Sequence, residues 1–406
     1  MKYQYNTKEE LEAFISSHWN EVNDYLDQNM MSLPTPIYSS VDIRESKTKF
    51  APVDMNIYPA GFNNLCLMDL DYSSRVFKET IHSQFSQLEV KKIGIIPESH
   101  TKNLFYLDHL AFLQKSLSDS GFEVYFIGLD EELFAEESAL TLMSHSKFQI
   151  EIYKGQIKEG VLWAGEHKLD LAILNNDQSN PLNVEWDILK TPVVPTPRIG
   201  WFRRQKNEHF KIYSEVVADF SNKFSINPDL LMAKFETIEG VDFSKKEGLE
   251  ELGQKVDQLI STLPEKSKVF VKASQGTYGM GISVVGSGKE IIEMNRKNRD
   301  KMNIGKNKIK FTSVIIQEGV DSMLKYDDMA AEVAIYLVGG KSVGGFVRAN
   351  SSKDAQENLN SRGMVFKKYC ISEIKQDNDF QAKEAVYSVI ARLSTMAGAI
   401  EIKNVL

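Results

Sequence analysis

Cysteine is nearly missing: 406 residues hold only Cys66 and Cys370, too few for a disulfide framework or a zinc-ligand pattern. Such usage predicts two reduced thiols in a reducing compartment. The seven histidines are scattered and show no H-E-x-x-H spacing. No run approaches the roughly 18 apolar residues that span a bilayer. The polar start, Met1-Lys-Tyr-Gln-Tyr-Asn-Thr7, leads into no apolar stretch of the signal-peptide kind. These absences predict a cytoplasmic protein with no membrane partner. An excess of positive charge is lacking too. Lys and Arg total 48 against 56 Asp and Glu, a formal net charge of -8, which argues against nucleic acid as a partner. The remaining composition, 42% hydrophobic and 26% charged, is that of a globular chain of two or three domains.

The chain is organised around Lys268-Val-Phe-Val-Lys-Ala-Ser-Gln-Gly-Thr-Tyr-Gly-Met-Gly-Ile282. Val269, Phe270 and Val271 predict a strand. Gly276, Gly279 and Gly281 come after it, with Ser274 and Thr277 among them. Lacking Cβ atoms, such a loop can set backbone N–H groups against phosphate oxygens, and Lys272 can supply charge. Neither G-x-x-x-x-G-K-[ST] nor a helix-opening G-x-G-x-x-G is present. A tight hairpin would use the same glycines, so the order of the downstream segments matters. Ser313–Val320 is an apolar strand ending near Gln317 and Glu318. Ala330–Gly340 and Val343–Asn350 come next, the second carrying Arg348.

Upstream, Thr7 and Glu10 form a capping box, opening a helix with Leu11, Phe14, Ile15, Val22 and Leu26 on one face. Residues 41–50 alternate like a strand and bear Arg44, Lys47 and Lys49. A turn-rich stretch with Asp54, Asn56, Asn63 and Asn64 follows. Cations beside amide and carboxylate oxygens suit a small zwitterion such as an amino acid. From Lys91 a β-α-β unit is legible: Ile93–Ile96, a helix over 102–120 closed by Gly121, then Val124–Ile127. A further strand, Leu169–Leu174, ends in Asn175-Asn-Asp177. This alternation predicts a parallel sheet with binding groups beyond its carboxyl ends. Prolines 192, 195 and 197 predict an extended linker. After it, Arg198, Arg203, Arg204, Lys206 and His209 gather around Trp201 and Phe202. Near the end, a helix with Val386, Ile390 and Leu393 is expected to stop at Gly398. Ala399–Leu406 then reads as a strand presenting Glu401.

The order of lysine strand, glycine loop, helix, Gln-Glu strand and arginine hairpin resembles the ATP-grasp superfamily over the C-terminal third of the chain. A closer resemblance runs through most of it. Tyr58-Pro-Ala-Gly-Phe-Asn-Asn64, Leu174-Asn-Asn-Asp177 and Gly200-Trp-Phe-Arg-Arg-Gln-Lys-Asn-Glu-His-Phe210 resemble glutamate–cysteine ligases of the type first described from iron-oxidising proteobacteria. That resemblance implies an ATP- and Mg²⁺-dependent ligase joining the glutamate side-chain carboxylate to cysteine, the first step of glutathione synthesis. It implies an α/β (α+β) fold, a Rossmann-like N-terminal domain followed by an ATP-grasp domain. The expected divisions are 1–90, 91–197 and 198–406. Lys234 and Lys272 are expected at the phosphates, under a loop of Ser274, Gly276, Thr277, Gly279 and Gly281. Gln317 and Glu318 are expected at the adenine, and Arg348 against the transferred phosphoryl group. Glutamate is expected among Arg44, Lys47, Asn63, Asn64, Arg198, Arg203 and Arg204. Glu401 is expected to hold Mg²⁺. The superfamily's second metal strand, Glu-x-Asn, has no residues left after it, so the pattern is short or another segment supplies the oxygens. Glu332, Asn358 and Asn360 are the candidates. Two other readings stay open: an ATP-grasp ligase for another acid and amine, and a nucleotide-binding regulator without catalysis. Homo-oligomer formation is left undecided.

Overall fold

The protein folds around three sheets in a computed structural model describing residues 3–99, 102–130, 133–134, 136–274, 281–303, 313–361, 363–369 and 378–406. The parallel sheet forms where the sequence alternates strand and helix. Five of its eight strands are parallel, in the order Val193–Val194, Leu171–Asn175, Lys92–Pro97, Glu123–Gly128, Gln149–Lys158, and Ala139–Met143, Val161–Ala164 and His167–Lys168 extend it antiparallel. Leu171–Asn175 is buried throughout, as a parallel strand covered on both faces must be. The strand order reverses between Lys92–Pro97 and Leu171–Asn175, which places Glu98, Asn176 and Asp177 together at the switch point. Asp177 N–H accordingly donates to Glu98 Oε1 at 2.7 Å.

A four-stranded antiparallel sheet runs in the order Phe235–Glu239, Ser313–Glu318, Val269–Ala273, Ile282–Val285. Its apolar face packs on Leu249, Leu252 and Val256 of the helix Leu249–Ser261. The lysine strand and the Gln-Glu strand are neighbours here, with Phe270 opposite Gln317.

In the third sheet, sequence order and space part. Met364–Tyr369, Lys341–Asn350, Met329–Val338, Tyr38–Glu45 and Phe50–Asn56 lie side by side, antiparallel. A hairpin from the first ninety residues thus joins strands from the last hundred through the pairing of Tyr38–Glu45 with Met329–Val338, crossing the division at 90 and 198. Val41 and Ile43 alternate with Ser40, Asp42 and Arg44. The apolar side joins Val333, Ile335 and Leu337 in the core, and the polar side faces a cleft.

That core is closed by the helix Asn378–Lys403, which packs on four strands of this sheet and on the helices Lys8–Ser17, Trp19–Met30 and Lys206–Phe224. The helix does not stop at Gly398, and no terminal strand follows. A Cβ at 398 would lie 2.5 Å from Met55 Cε, so the glycine lets the helix settle onto the strand Phe50–Asn56. Residues Lys383–Lys403 are long and apolar enough to match a membrane span, yet 83% of that window is buried within the protein. Cys66 is disulfide-bonded rather than a reduced thiol. Counting cysteines does not reveal which approach in space, and Cys370 lies outside the described residues.

Candidate active site

Residues directly opposite on neighbouring antiparallel strands share a face. Asp42 stands opposite Asp54, Ser40 opposite Asn56, and Glu332 opposite Arg348. The polar face of the third sheet therefore carries a facing pair of aspartates, an asparagine two residues on, and an ion-paired glutamate. Arg348 Nη1 reaches Asp42 Oδ2 at 2.7 Å and Glu332 Oε1 at 2.9 Å, while Arg44 Nε reaches Glu332 Oε2 at 2.8 Å. Burial works to raise the Glu332 carboxyl, but Arg44 and Arg348 outweigh it and hold it below the usual range. At Asp42 burial prevails over Arg348, and the carboxyl is raised.

The four-stranded sheet forms the opposite wall. Lys272 Nζ donates to Gln317 Oε1 at 2.6 Å and to Val53 O at 3.1 Å, and lies 5.5 Å from the Phe270 ring centroid. Burial, with Lys206 and Arg44 adding repulsion, pushes its pKa down to about 7. Lys206 Nζ sits 2.5 Å from Asp54 Oδ1. Gln317 Nε2 and Arg348 Nε are buried donors without an acceptor among the described residues. The cleft holds only about 50 Å³ of free volume. Ligand sites usually offer roughly 300–1,000 Å³, so a nucleotide-sized ligand requires the walls to part.

Seven expected residues do meet here: Arg44, Lys272, Gln317, Glu318, Glu332, Asn358 and Asn360 line the cleft. Arg348 adjoins it through Glu332. Ser274 is buried at its edge and accepts from Ser313 Oγ at 2.9 Å; Gly281 holds φ 65° and accepts from Ala273 N–H at 2.8 Å. Gly276, Thr277 and Gly279 lie outside the described residues.

Others are placed elsewhere. The Lys234 side chain turns to Thr262 O at 3.1 Å, while its backbone N–H donates to Glu318 Oε2. The cation that reaches Glu318 is instead Lys49, at 2.8 Å. Lys47 is exposed in the turn between two strands. Asn63 and Asn64 lie half-buried on the turn Phe62–Asn64, outside the cleft lining. Arg198 pairs with Asp187 at the surface at 2.5 Å, and Arg203 is exposed. Arg204 points inward, donating to Glu401 through Nε at 2.9 Å and Nη2 at 3.1 Å. His209 Nδ1 lies 2.5 Å from the same carboxylate. Glu401 is thus engaged by two partners inside the core. Burial opposes ionisation there, but Arg204 and His209 prevail and bring the carboxyl down to about 2. Neither Arg204 nor Glu401 is free for substrate or metal, because the terminal segment is a packed helix.

The unassigned charged residues that the cleft gathers are Asp42, Asp54 and Lys206. A signal for the first two was present: Asp54-x-Asn56, following Asp42, has the acid-and-amide spacing sought after Glu401. It stood at the opposite end of the chain.

Residues 12–402 match the protein family GshA, glutamate-cysteine ligase. Among curated proteins the chain finds no match. Among solved structures, a candidate gamma-glutamylcysteine synthetase from Methylobacillus flagellatus KT is similar over 97% of this chain and 96% of its own, with 30% identity and a TM-score of 0.87. D-alanyl-alanine synthetase A from Vibrio cholerae O1 biovar eltor is 12% identical over 74% of this chain and 81% of its own, with a TM-score of 0.37. A glutathione synthetase-like effector (GSS30) from Globodera pallida is 12% identical over 89% and 84%, with a TM-score of 0.44. The overlap with these last two is too low to bear on fold or function.

Proposed function

The chain belongs to the glutamate-cysteine ligase family, and from that premise we propose that it joins the γ-carboxylate of glutamate to the amine of cysteine at the expense of ATP, the first step of glutathione biosynthesis. One observation carries the reading at the level of residues. Segments scattered from Asp42 to Asn360 deliver cations, carboxylates and amides to a single cleft.

Forming an amide from a carboxylate requires an activated carboxyl group. The γ-carboxylate oxygen attacks the γ-phosphorus of ATP, releasing ADP and leaving an acyl phosphate. The amine then attacks the acyl carbon, and inorganic phosphate departs with the bonding electrons. The protein's part is to neutralise charge, hold the reactants in line and keep water out. Lys272 faces the phosphates in this reading, with Gln317 and Glu318 at the base and Arg348 beside the transferred phosphoryl group.

Magnesium fits the residues present. Asp42 and Asp54 are like charges directly opposed, an unfavourable arrangement unless a cation stands by. Here Arg348 and Lys206 fill that role. Among the described residues no three acidic, histidine or cysteine side chains form a metal cage. That suits an ion held by one or two carboxylates while phosphates and water complete its shell. Asp42 and Asp54 would hold it, with Asn56, Glu332, Asn358 and Asn360 as neighbouring oxygen donors. When bound, the ion supplies charge neutralisation to the phosphates.

Purified protein given ATP, Mg²⁺, glutamate and cysteine should release ADP and form γ-glutamylcysteine. ADP release that needs neither amino acid, or faster turnover with an unrelated acid, would replace this reading with a ligase for another pair.

A further inference from the structure

Lys206 opens the helix Lys206–Phe224, directly after the turn that holds Trp201 and Arg204. Its backbone N–H donates to Ser274 O at 2.8 Å, tying it to the end of the lysine strand. Its side chain is 8% exposed, lies 5.3 Å from the Trp201 ring centroid, and ends on Asp54 in the cleft lining.

The cleft's charges are matched internally. Asp42 takes Arg348, and Glu332 takes both Arg348 and Arg44. Asp54 takes Lys206, while Lys272 donates to Gln317 and Val53 O. A divalent ion at the facing aspartates would compete with Lys206 for the carboxylate of Asp54. The displaced ammonium, still buried, then needs an anion.

A dicarboxylate substrate needs a cation for its α-carboxylate while its γ-carboxylate lies by the phosphates. Of the arginines expected to serve it, Arg198, Arg203 and Arg204 lie elsewhere. Arg44 is committed: Nε goes to Glu332, Nη1 to Ala355 O at 3.4 Å and Nη2 to Glu357 O at 2.7 Å. The metal would claim a partner of two cleft cations, but Arg348, losing Asp42, keeps Glu332, whereas Lys206 has no second carboxylate partner among the described residues.

We propose that Lys206 is a place-holding cation that occupies Asp54 in the ligand-free protein and transfers to the α-carboxylate of the acid substrate when a divalent ion enters at Asp42 and Asp54. This rests on the ligase reading and on its metal residues. Ion entry and substrate capture are then one exchange of partners, and glutamate is held only where the metal already sits.

The test begins without substrate. Mn²⁺ binding to the nucleotide-free protein, followed by calorimetry, should be at least tenfold tighter in Lys206→Met than in the wild type, because the internal competitor is gone. Unchanged or weaker Mn²⁺ binding would overturn the place-holding role, and a purely structural lysine predicts that outcome. In turnover, Lys206→Met should raise KM for glutamate roughly ten- to a hundredfold, as loss of one charge-assisted hydrogen bond does, with KM for ATP little changed. Lys206→Arg should restore KM towards the wild-type value. An unmoved glutamate KM would overturn the capture role. Should Lys206→Met fail to fold, Lys206→Gln keeps a hydrogen bond to Asp54 while removing the charge, and the same two measurements apply. The Mn²⁺ arm needs no substrate, so it separates failure of this inference from failure of the ligase assignment. If another acid proves to be the substrate, the KM effect should follow that acid.

Discussion

Lys272 gives the cleft a measurable proton balance. In the ligand-free protein burial comes first, with Lys206 and Arg44 adding repulsion, and the ammonium is disfavoured until its pKa falls to about 7. At pH 8 roughly one-tenth of the molecules then carry the proton. A triphosphate against Lys272 favours the charged form and returns the group towards its ordinary value of 10.5. Phosphate's own last ionisation, near about 6, is nearly complete at pH 8 and contributes little. Binding of a non-hydrolysable ATP analogue with Mg²⁺ should therefore take up close to one proton at pH 8 and about half of one at pH 7. Calorimetric titration in two buffers of different protonation enthalpy reads this number directly. Lys272→Met should abolish the uptake and weaken binding roughly ten- to a hundredfold. Heat that is independent of buffer at pH 8 would refute the argument, since Lys272 would then be charged already or away from the phosphates. The sign extends to stability. Between about 7 and 10.5 the unfolded chain binds a proton that the folded chain does not, so this group makes the ligand-free fold more stable as pH rises through that window.

Glu401→Gln should lower stability by roughly 3 kcal/mol in denaturant titration, by removing the charge shared by Arg204 and His209, and should leave the Mg²⁺ dependence unaltered; a shifted Mg²⁺ requirement with intact stability would return Glu401 to the metal. Because its carboxyl is held down to about 2, its stabilisation is present above the ordinary 4.5 and is lost as pH falls through about 2. Gly398→Ala sets the methyl's clash with the end of the Met55 side chain against the ~1 kcal/mol that alanine gains over glycine in a helix, so a net loss of at most about 2 kcal/mol is expected in denaturant titration; a variant stabilised by the full propensity gain would refute that contact. Lys47→Ala, Arg198→Ala and Arg203→Ala, all at exposed positions, should leave glutamate KM unmoved and stability within about 0.5 kcal/mol. A tenfold rise in KM at any of them would bring that residue back to the substrate.

How much of the molecule is legible in its sequence depends on the range of the forces involved. The β-α-β unit and the lysine strand were legible because apolar periodicity and glycine placement are local. The third sheet was not. Arg44 and Glu332 meet across 288 positions, and no local pattern names such a partner. Gly398 looked like a helix stop because glycine disfavours helix by propensity, whereas a tertiary contact with Met55 overrides that preference. The arginines at 198, 203 and 204 looked like one cluster because they are neighbours in sequence. In an irregular turn neighbours need not share a face, and these go to Asp187, to solvent and to Glu401.

The same sheet explains how a chain that ends in a helix still assembles an acidic site. Tyr38–Glu45 and Phe50–Asn56 form a hairpin on the flank of the sheet beside Met329–Val338, and no covalent connection nearby fixes the hairpin's alignment with that strand. Register must come from packing. Val41 and Ile43 stand opposite Ile335 and Val333 and are buried under the helix Asn378–Lys403. A slip of one residue would turn both into the cleft and drive Asp42 and Arg44 into the apolar core, at the cost of burying two charges without their partners. The hydrophobic contact on one face of the strand therefore determines where the carboxylates stand on the other. The core helix, which carries no reacting group, is what aligns the hairpin's Asp42 and Asp54 with Arg348.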